Sequence, residues 1–298
     1  MSTLDTEVTG PSDSGVDLYG RPAWHRVMAY WLGWGGCLVA VTLIAIPIVS
    51  ILWGVIGRAL AHWQWSVITS TTTGLRLDIL GTLELVAGVG IVAGIIGVAS
   101  GVYLAEYASG RFGSLLRGAA EVLAGVPSIV LGYVGYVALS ITFHWGYSLA
   151  AALIVLSALT IPYIAKSTES ALRQVPTSYR EGADGLGMPP LRSLTRITMK
   201  AALPGITTGW LVALAIAMGE TAPLLYTIGE FTSVGPTSHL THQPVGYLTA
   251  VVYYGWQNGG PDLQLGYDAA FMLVVLILAL IVGARIIVAL TQRHTEKN

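Results

Sequence analysis

Residues 122–165 read VLAGVPSIVLGYVGYVALSITFHWGYSLAAALIVLSALTIPYIA, 44 residues with no Asp, Glu, Lys or Arg between Glu121 and Lys166. As one helix this run would be about 66 Å long, roughly twice the hydrocarbon thickness of a bilayer. It has to fold back, and Phe143-His144-Trp145-Gly146-Tyr147 offers the hairpin. Two spans result, at 118–142 and 147–165. Further apolar runs lie on either side. The first span is 31–56, within the uncharged interval from Arg26 to Arg58, with Pro47 as a kink. The second is 79–105, interrupted only by Glu84. The fifth is 203–228, carrying Glu220 and Pro223, and the sixth is 269–290. The expected fold class is an all-α polytopic membrane protein with six transmembrane helices.

Composition agrees with this reading. The 298 residues are 54% hydrophobic and 10% charged, with a mean hydropathy of +0.67 and 36 glycines. Soluble proteins carry about 25% charged residues, so this chain lacks a polar shell and argues against a soluble enzyme or a secreted scaffold. A net charge of -1 gives no basic footprint for nucleic acid. Cys37 is the single cysteine, which leaves no intrachain disulfide and no Cys-based zinc site. Residues 1–26 start polar and acidic (Asp5, Glu7, Asp13, Asp17), unlike the basic start of a secretory signal. We read them as a disordered cytoplasmic tail before an uncleaved first span, with 27–298 as the membrane domain.

Lys and Arg set the orientation. With both termini inside, 13 of the 15 basic residues are cytoplasmic and only Arg58 and Arg76 lie outside. The outer loops 58–78 and 229–267 are rich in Trp, Thr, Gly and Pro, with Trp63, Trp65, Tyr253, Tyr254 and Trp256 suited to an interfacial belt. The inner loop 166–200 is charged, and its helical stretches are punctuated by Pro176, Gly182, Gly185, Gly187, Pro189 and Pro190.

Several motifs need weighing. Gly90-x-x-x-Gly94 and Gly97-x-x-x-Gly101 sit inside a span with no strand before them, which favours close helix packing over a nucleotide fingerprint. No Gly precedes any of the three lysines, so there is no P-loop. His239 and His242 have no clear third ligand, so no metal site is expected. Glu84, Glu106, Glu121 and Glu220 fall in or at the ends of spans. Glu106 and Glu121 lie near the cytoplasmic surface, where they can be solvated or paired. Glu220 is the deepest. A charge at the bilayer centre costs about 2.5–3.5 kcal/mol on insertion scales, so Glu220 marks either a hydrogen bond between helices or a polar pathway.

The inner loop reads Glu181-Gly182-Ala183-Asp184-Gly185-Leu186-Gly187-Met188-Pro189-Pro190, then a basic amphipathic stretch, then Leu203-Pro204-Gly205. A membrane subunit driven from outside itself must offer a short rigid element to a soluble motor, and a glycine-closed helix can fill a cleft in a partner. The segment resembles the coupling motif of ABC importer permeases at Glu181, Ala183, Gly187, Leu203 and Pro204, and departs from it at Gly182, where Ala is usual. Four further blocks resemble the PstA permeases of phosphate importers: Leu123-Ala124-Gly125-Val126-Pro127-Ser128-Ile129-Val130, Ile161-Pro162-Tyr163-Ile164, Thr168-Glu169-Ser170-Ala171-Leu172-Arg173-Gln174-Val175-Pro176 and Met218-Gly219-Glu220-Thr221-Ala222-Pro223-Leu224-Leu225. Together they cover roughly 79–290. One departure matters: where such permeases often carry an Arg one turn before the Glu, this chain has Ile216.

The resemblance implies a type I ABC importer permease fold in the cytoplasmic membrane of a prokaryote. It implies a heterodimer with a PstC-type permease, a cytoplasmic ATPase dimer, an external phosphate-binding protein, and inorganic phosphate as cargo. ATP and Mg would sit on the ATPase, with no cofactor and no catalytic residue on this chain. Glu181, Ala183, Asp184, Gly185 and Gly187 would couple to the ATPase, and Ser128, Glu220 and Thr221 would line or gate the path. A bare Glu220 carboxylate would repel phosphate by about 4 kcal/mol at roughly 4 Å and an effective dielectric of about 20. Glu220 therefore either pairs with an Arg, supplied by the partner permease since Ile216 is not one, or stays protonated and donates a hydrogen bond. A permease for sulfate or molybdate would share the coupling loop. A membrane enzyme would need partners for Glu220, and a passive channel would not need the loop.

Overall fold

A computed structural model describes residues 24–295 apart from 73, 109, 230–233 and 238. Among the described residues there are helices and no strands. The expected tail lies outside the described residues up to 23, but Trp24, His25 and Arg26 already belong to the first helix. The chain divides into two compact units, one ending at Trp53 and the other beginning at Gly54. Helix α1 (Trp24–Ala61) supplies the described part of the first unit and the first residues of the second, and it is helical through Pro47. Residues 24–53 are exposed throughout, with large apolar side chains such as Leu38, Leu43 and Trp53 outermost. This all-round apolar surface is what a lipid-facing span presents.

In the second unit, α2 (Ser66–Thr69) leads to α3 (Arg76–Glu106), α4 (Gly110–Gly125) and α5 (Ser128–Gly135), the last continuing as a π-helical stretch, Tyr136–Thr142. After the turn at 143–148 come α6 (Leu149–Arg173), α7 (Thr177–Gly185) and α8 (Pro190–Ser193), a second π-helical stretch (Leu194–Thr198) and α9 (Met199–Gly219). Helices α10 (Ala222–Thr227), α11 (Leu248–Asn258) and α12 (Gly260–Thr295) complete it. Among the described residues, five helices are long and apolar enough to cross a membrane, or six if α4 with the helix from 128 to 142 is taken as one broken span.

Two expected spans are broken, each at a proline signal. Over 118–142 the chain is two helices at 93°. Pro127 has φ -55° and ψ 131°. It has no N–H to donate, and its ring disfavours helical geometry at Val126. Over 203–228, α9 ends at Gly219, Glu220 is extended (φ -69°, ψ 132°), and α10 restarts with Pro223 in its first turn. The expected span at 147–165 is the start of a longer helix: α6 begins at Leu149 behind Ser148, whose Oγ accepts the Ala151 N–H, and runs on to Arg173.

The core forms where α3, α6 and α9 meet. Leu85 and Val89 of α3, Leu156 and Ile164 of α6, and Leu214 and Ala217 of α9 are buried together. The approach of α3 to α6 is set by glycines. A Cβ at Gly97 would stand 2.7 Å from Ile164 Cβ, and one at Gly101 would stand 2.5 Å from Thr168 Cβ and 2.6 Å from the Ala165 carbonyl. Gly90 and Gly94 face α9 instead. A Cβ at Gly94 would lie 2.8 Å from Trp210 Nε1, and that indole N–H donates to the Gly90 carbonyl at 3.1 Å.

Candidate functional site

The residues that the sequence singles out fall at two places, the α7 tip and the α9–α10 break. At the tip, α7 closes through a Schellman turn. The Met188 N–H donates to the Ala183 carbonyl (3.0 Å), and the Gly187 N–H donates to Asp184 (2.9 Å). Gly187 has φ +67°, a left-handed conformation that only glycine adopts without penalty. Ala183 is buried against the fold, whereas Glu181, Gly182, Asp184, Gly185 and Gly187 are exposed. Leu186 is 82% exposed and Leu191 66%, with Tyr179 also outward. The tip therefore presents apolar side chains on a charged, backbone-fixed turn.

The tip is tied down by arginines. Arg180 of α7 makes a two-pronged contact with Glu106, the last residue of α3: Nη1 to Oε2 and Nη2 to Oε1, both 2.7 Å. Its Nη2 also reaches the Leu172 carbonyl in the last turn of α6 at 3.5 Å. Arg117 of α4 donates Nε to Glu169 Oε1 at 2.7 Å and Nη2 to the Leu104 carbonyl at 2.8 Å, satisfying one of the acceptors a helix end leaves open. Arg173 joins the same Glu169 oxygen, with its Nη2 at 2.8 Å. Lys166 lies 3.8 Å from Glu121, and both are exposed. Sequence reading placed Glu106 where it could be paired but did not find its partner. Arg180 and Glu106 are 74 residues apart, and Arg117 and Glu169 are 52 apart. The only signal was a basic residue immediately before Glu181.

At the second place, Ser128 opens α5 and Glu220 and Thr221 form the break between α9 and α10. All three are half-buried. A Cβ at Gly132 would stand 2.5 Å from Pro223 Cα. The same construction brings Gly135 towards Thr227, at 3.7 Å. Helices α5 and α10 thus run side by side in the same direction. The break leaves a helix-end carbonyl to satisfy, and Thr249 Oγ1 of α11 donates to the Glu220 carbonyl at 3.0 Å. Among the described residues the Glu220 carboxylate has no cation within ion-pair distance. The tyrosines Tyr133, Tyr226, Tyr136 and Tyr147 of the same two helices and the turn after them form a ladder, with successive ring centroids 5.7, 6.5 and 5.9 Å apart.

At the end of the bundle opposite α7 lies a strap, made of the described residues of 234–247 and the first turn of α11. It donates to the upper turns of α3: Leu248 N–H to Thr82 Oγ1 at 2.9 Å, and Thr237 N–H to Glu84 Oε2 at 3.3 Å. Tyr247 is buried and donates its hydroxyl to the Gly229 carbonyl (3.3 Å). Burial, with Tyr254 beside it, pushes the Tyr247 phenol above its ordinary value, so it stays protonated. Among the described residues no group of His, Cys, Asp and Glu could hold a metal ion.

A bundle of helices long and apolar enough to cross a membrane, with a glycine-closed turn at one end, defines a multi-pass membrane protein. Residues 97–297 match the family model described as binding-protein-dependent transport system inner membrane component, and the chain belongs to that family, a group of multi-pass proteins of the prokaryotic cytoplasmic membrane. Within it the chain is a member of the PstA permeases. It is 49% identical to phosphate transport system permease protein PstA 2 of Mycobacterium bovis over 92% of each chain. It is 32% identical to PstA of Yersinia pestis over 83% of this chain and 84% of that one. It is 31% identical to a probable PstA of Methanocaldococcus jannaschii, over 83% and 89%. Solved structures share the fold. The bacterial alginate ABC transporter has a chain with a TM-score of 0.62 at 12% identity, covering 89% of this chain and 96% of that one. The MetNI methionine ABC transporter has one with 0.58 at 21%, covering 72% and 94%.

Proposed function

We propose that this chain is one of two membrane subunits of an ATP-driven importer that carries inorganic phosphate inward by alternating access. The observation that carries the reading is the 49% identity, over 92% of the chain, to a relative named as a phosphate transport system permease. Both termini and the α7 tip are cytoplasmic, as the distribution of Lys and Arg requires. The tip, Glu181–Gly187, seats in a cytoplasmic ATPase that holds ATP and Mg. The opposite surface, built from 58–78 and 229–267, receives an external phosphate-binding protein. A second permease of PstC type faces the α5–α10 surface and completes the path.

In this arrangement Ser128, Glu220 and Thr221 lie on the path. An unpaired Glu220 would repel the cargo, so its partner is an Arg of the second permease. In the closed state Glu220 holds that Arg. When the helices part, phosphate competes for it. The break at Gly219–Glu220 suits this role, since an extended residue between two helices reorients its side chain without bending either helix. Deleting the chain should abolish high-affinity uptake of labelled phosphate while leaving sulfate and molybdate uptake intact. Loss of sulfate or molybdate uptake instead would reassign the cargo.

A further inference from the structure

Helix α3 is bonded near both ends to other elements of the bundle. At its C-terminus stands Glu106, a carboxylate at the negative end of a helix dipole, where an acid is disfavoured. Its side chain is 15% exposed and Arg180's is 35%. An exposed ion pair between flexible side chains constrains little. A planar guanidinium bonded through two nitrogens to both carboxylate oxygens fixes orientation as well as distance. Arg180 immediately precedes Glu181, so whatever moves the α7 tip moves this fork. At the other end of α3, Thr82 and Glu84 accept the Leu248 and Thr237 N–H groups of the strap. Between these points, from Thr82 to Glu106, α3 is unbroken and spans about 36 Å at 1.5 Å per residue.

We infer that the Arg180–Glu106 fork is the joint through which displacement of the α7 tip enters the membrane domain, and that α3 carries it as a rigid rod to the strap over the opposite end. Arg180 and Glu106 are then positioning residues for coupling. They touch neither phosphate nor ATP, and they act by making α7 and α3 move together. Arg117 stabilises the same helix end from α4 through the Leu104 carbonyl, which keeps the end of α3 wound while Glu106 is pulled.

The inference rests on the importer reading, and the experiment separates the two. The complete complex is reconstituted, and phosphate moved per ATP hydrolysed is measured per assembled complex. If the unaltered complex moves no phosphate, the importer reading fails before the joint is tested. Given transport, Arg180→Ala and Glu106→Gln should each lower the ratio by about fivefold or more. Arg180→Lys, which keeps the charge but loses the fork, should fall between. The exchange Arg180→Glu with Glu106→Arg should recover part of the loss. A purely structural contact would reduce the amount of assembled complex and leave the ratio unchanged, and that result overturns the joint. A second readout does not need transport. On a Cys37→Ser background, a thiol probe at Leu240→Cys on the strap should label at a rate that changes on ATP addition, and Arg180→Lys should abolish most of that change. A labelling response in the Lys variant equal to the unaltered one also overturns it.

Discussion

Replacing Gly187 tests whether the backbone of the α7 tip, rather than any side chain, carries docking. Nothing lies within 4 Å of a Cβ built at Gly187, so a substitution there meets no steric clash and its whole cost is conformational. Holding an L-residue in the left-handed region costs about 1–2 kcal/mol. Giving up the turn instead loses the Met188–Ala183 and Gly187–Asp184 bonds, each worth about 0.5–1.5 kcal/mol net. The second route costs about 1–3 kcal/mol, so Ala takes the cheaper and loses about 1–2 kcal/mol, which lowers the ratio of wound to unwound tip by about 5- to 30-fold. Val is worse, since a β-branched residue is a genuine outlier at positive φ. Asn tolerates the conformation and should be mild. The assay is a reconstituted complex in which ATPase affinity, phosphate uptake and transport-coupled ATP hydrolysis are measured together. The expected order is Gly, Asn, Ala, Val, with coupled hydrolysis abolished in Gly187→Val while the protein remains in the membrane. Gly182→Ala is the control. It lies on the helix with no contact to disturb, improves helix propensity by up to about 1 kcal/mol, and should couple normally. Equal coupling in the Val and unaltered proteins, or equal damage from Asn and Val, would refute the reasoning.

The other predictions concern the membrane domain. Gly101→Leu drives a side chain into Thr168 and the Ala165 carbonyl, and should destabilise the subunit by about 1–3 kcal/mol or more, read as a lower Tm in detergent; an unchanged Tm would mean α3 and α6 do not pack there. Trp210→Phe removes the donor to the Gly90 carbonyl and should cost about 0.5–1.5 kcal/mol, with the Trp210→Phe, Gly94→Ala pair non-additive because the two positions touch. Glu220→Gln should loosen the closed state, seen as ATP hydrolysis without matching uptake. Wild-type uptake and coupling across the neutral pH range would defeat the gate and favour a protonated Glu220, whose hydrogen-bond donor Gln retains.

The membrane class was legible because it rests on a quantity that sequence displays directly, the length of uncharged runs. The run from 122 to 165 required a hairpin, and the turn at 143–148 is where Phe143, His144, Trp145 and Tyr147 cluster. The breaks at Pro127 and Glu220 were signalled by Val126-Pro127 and by Gly219 with Pro223, but hydropathy sums over such positions and reads one continuous span through each. The glycines of α3 could be assigned to packing from their spacing. That Gly97 and Gly101 serve α6 while Gly90 and Gly94 serve α9 depends on how three helices cross. The ion pairs were illegible for a different reason. Arg180 reads as one more positive-inside charge and Glu106 as a span-end acid until the fold brings α7 back beneath α3. The Arg proposed to pair with Glu220 could not be read from this chain, which has Ile216 one turn before the Glu.

The central claim is that this subunit passes phosphate under the drive of a separate ATPase. The most direct measurement is uptake of labelled inorganic phosphate into proteoliposomes holding this chain, a PstC-type permease and the ATPase, with ATP and the phosphate-binding protein each supplied or withheld. The account predicts accumulation only when both are present on their proper sides, and loss of accumulation when Gly187→Val replaces the unaltered chain. Phosphate entry that proceeds without ATP, or ATP-driven uptake of sulfate in place of phosphate, would contradict it.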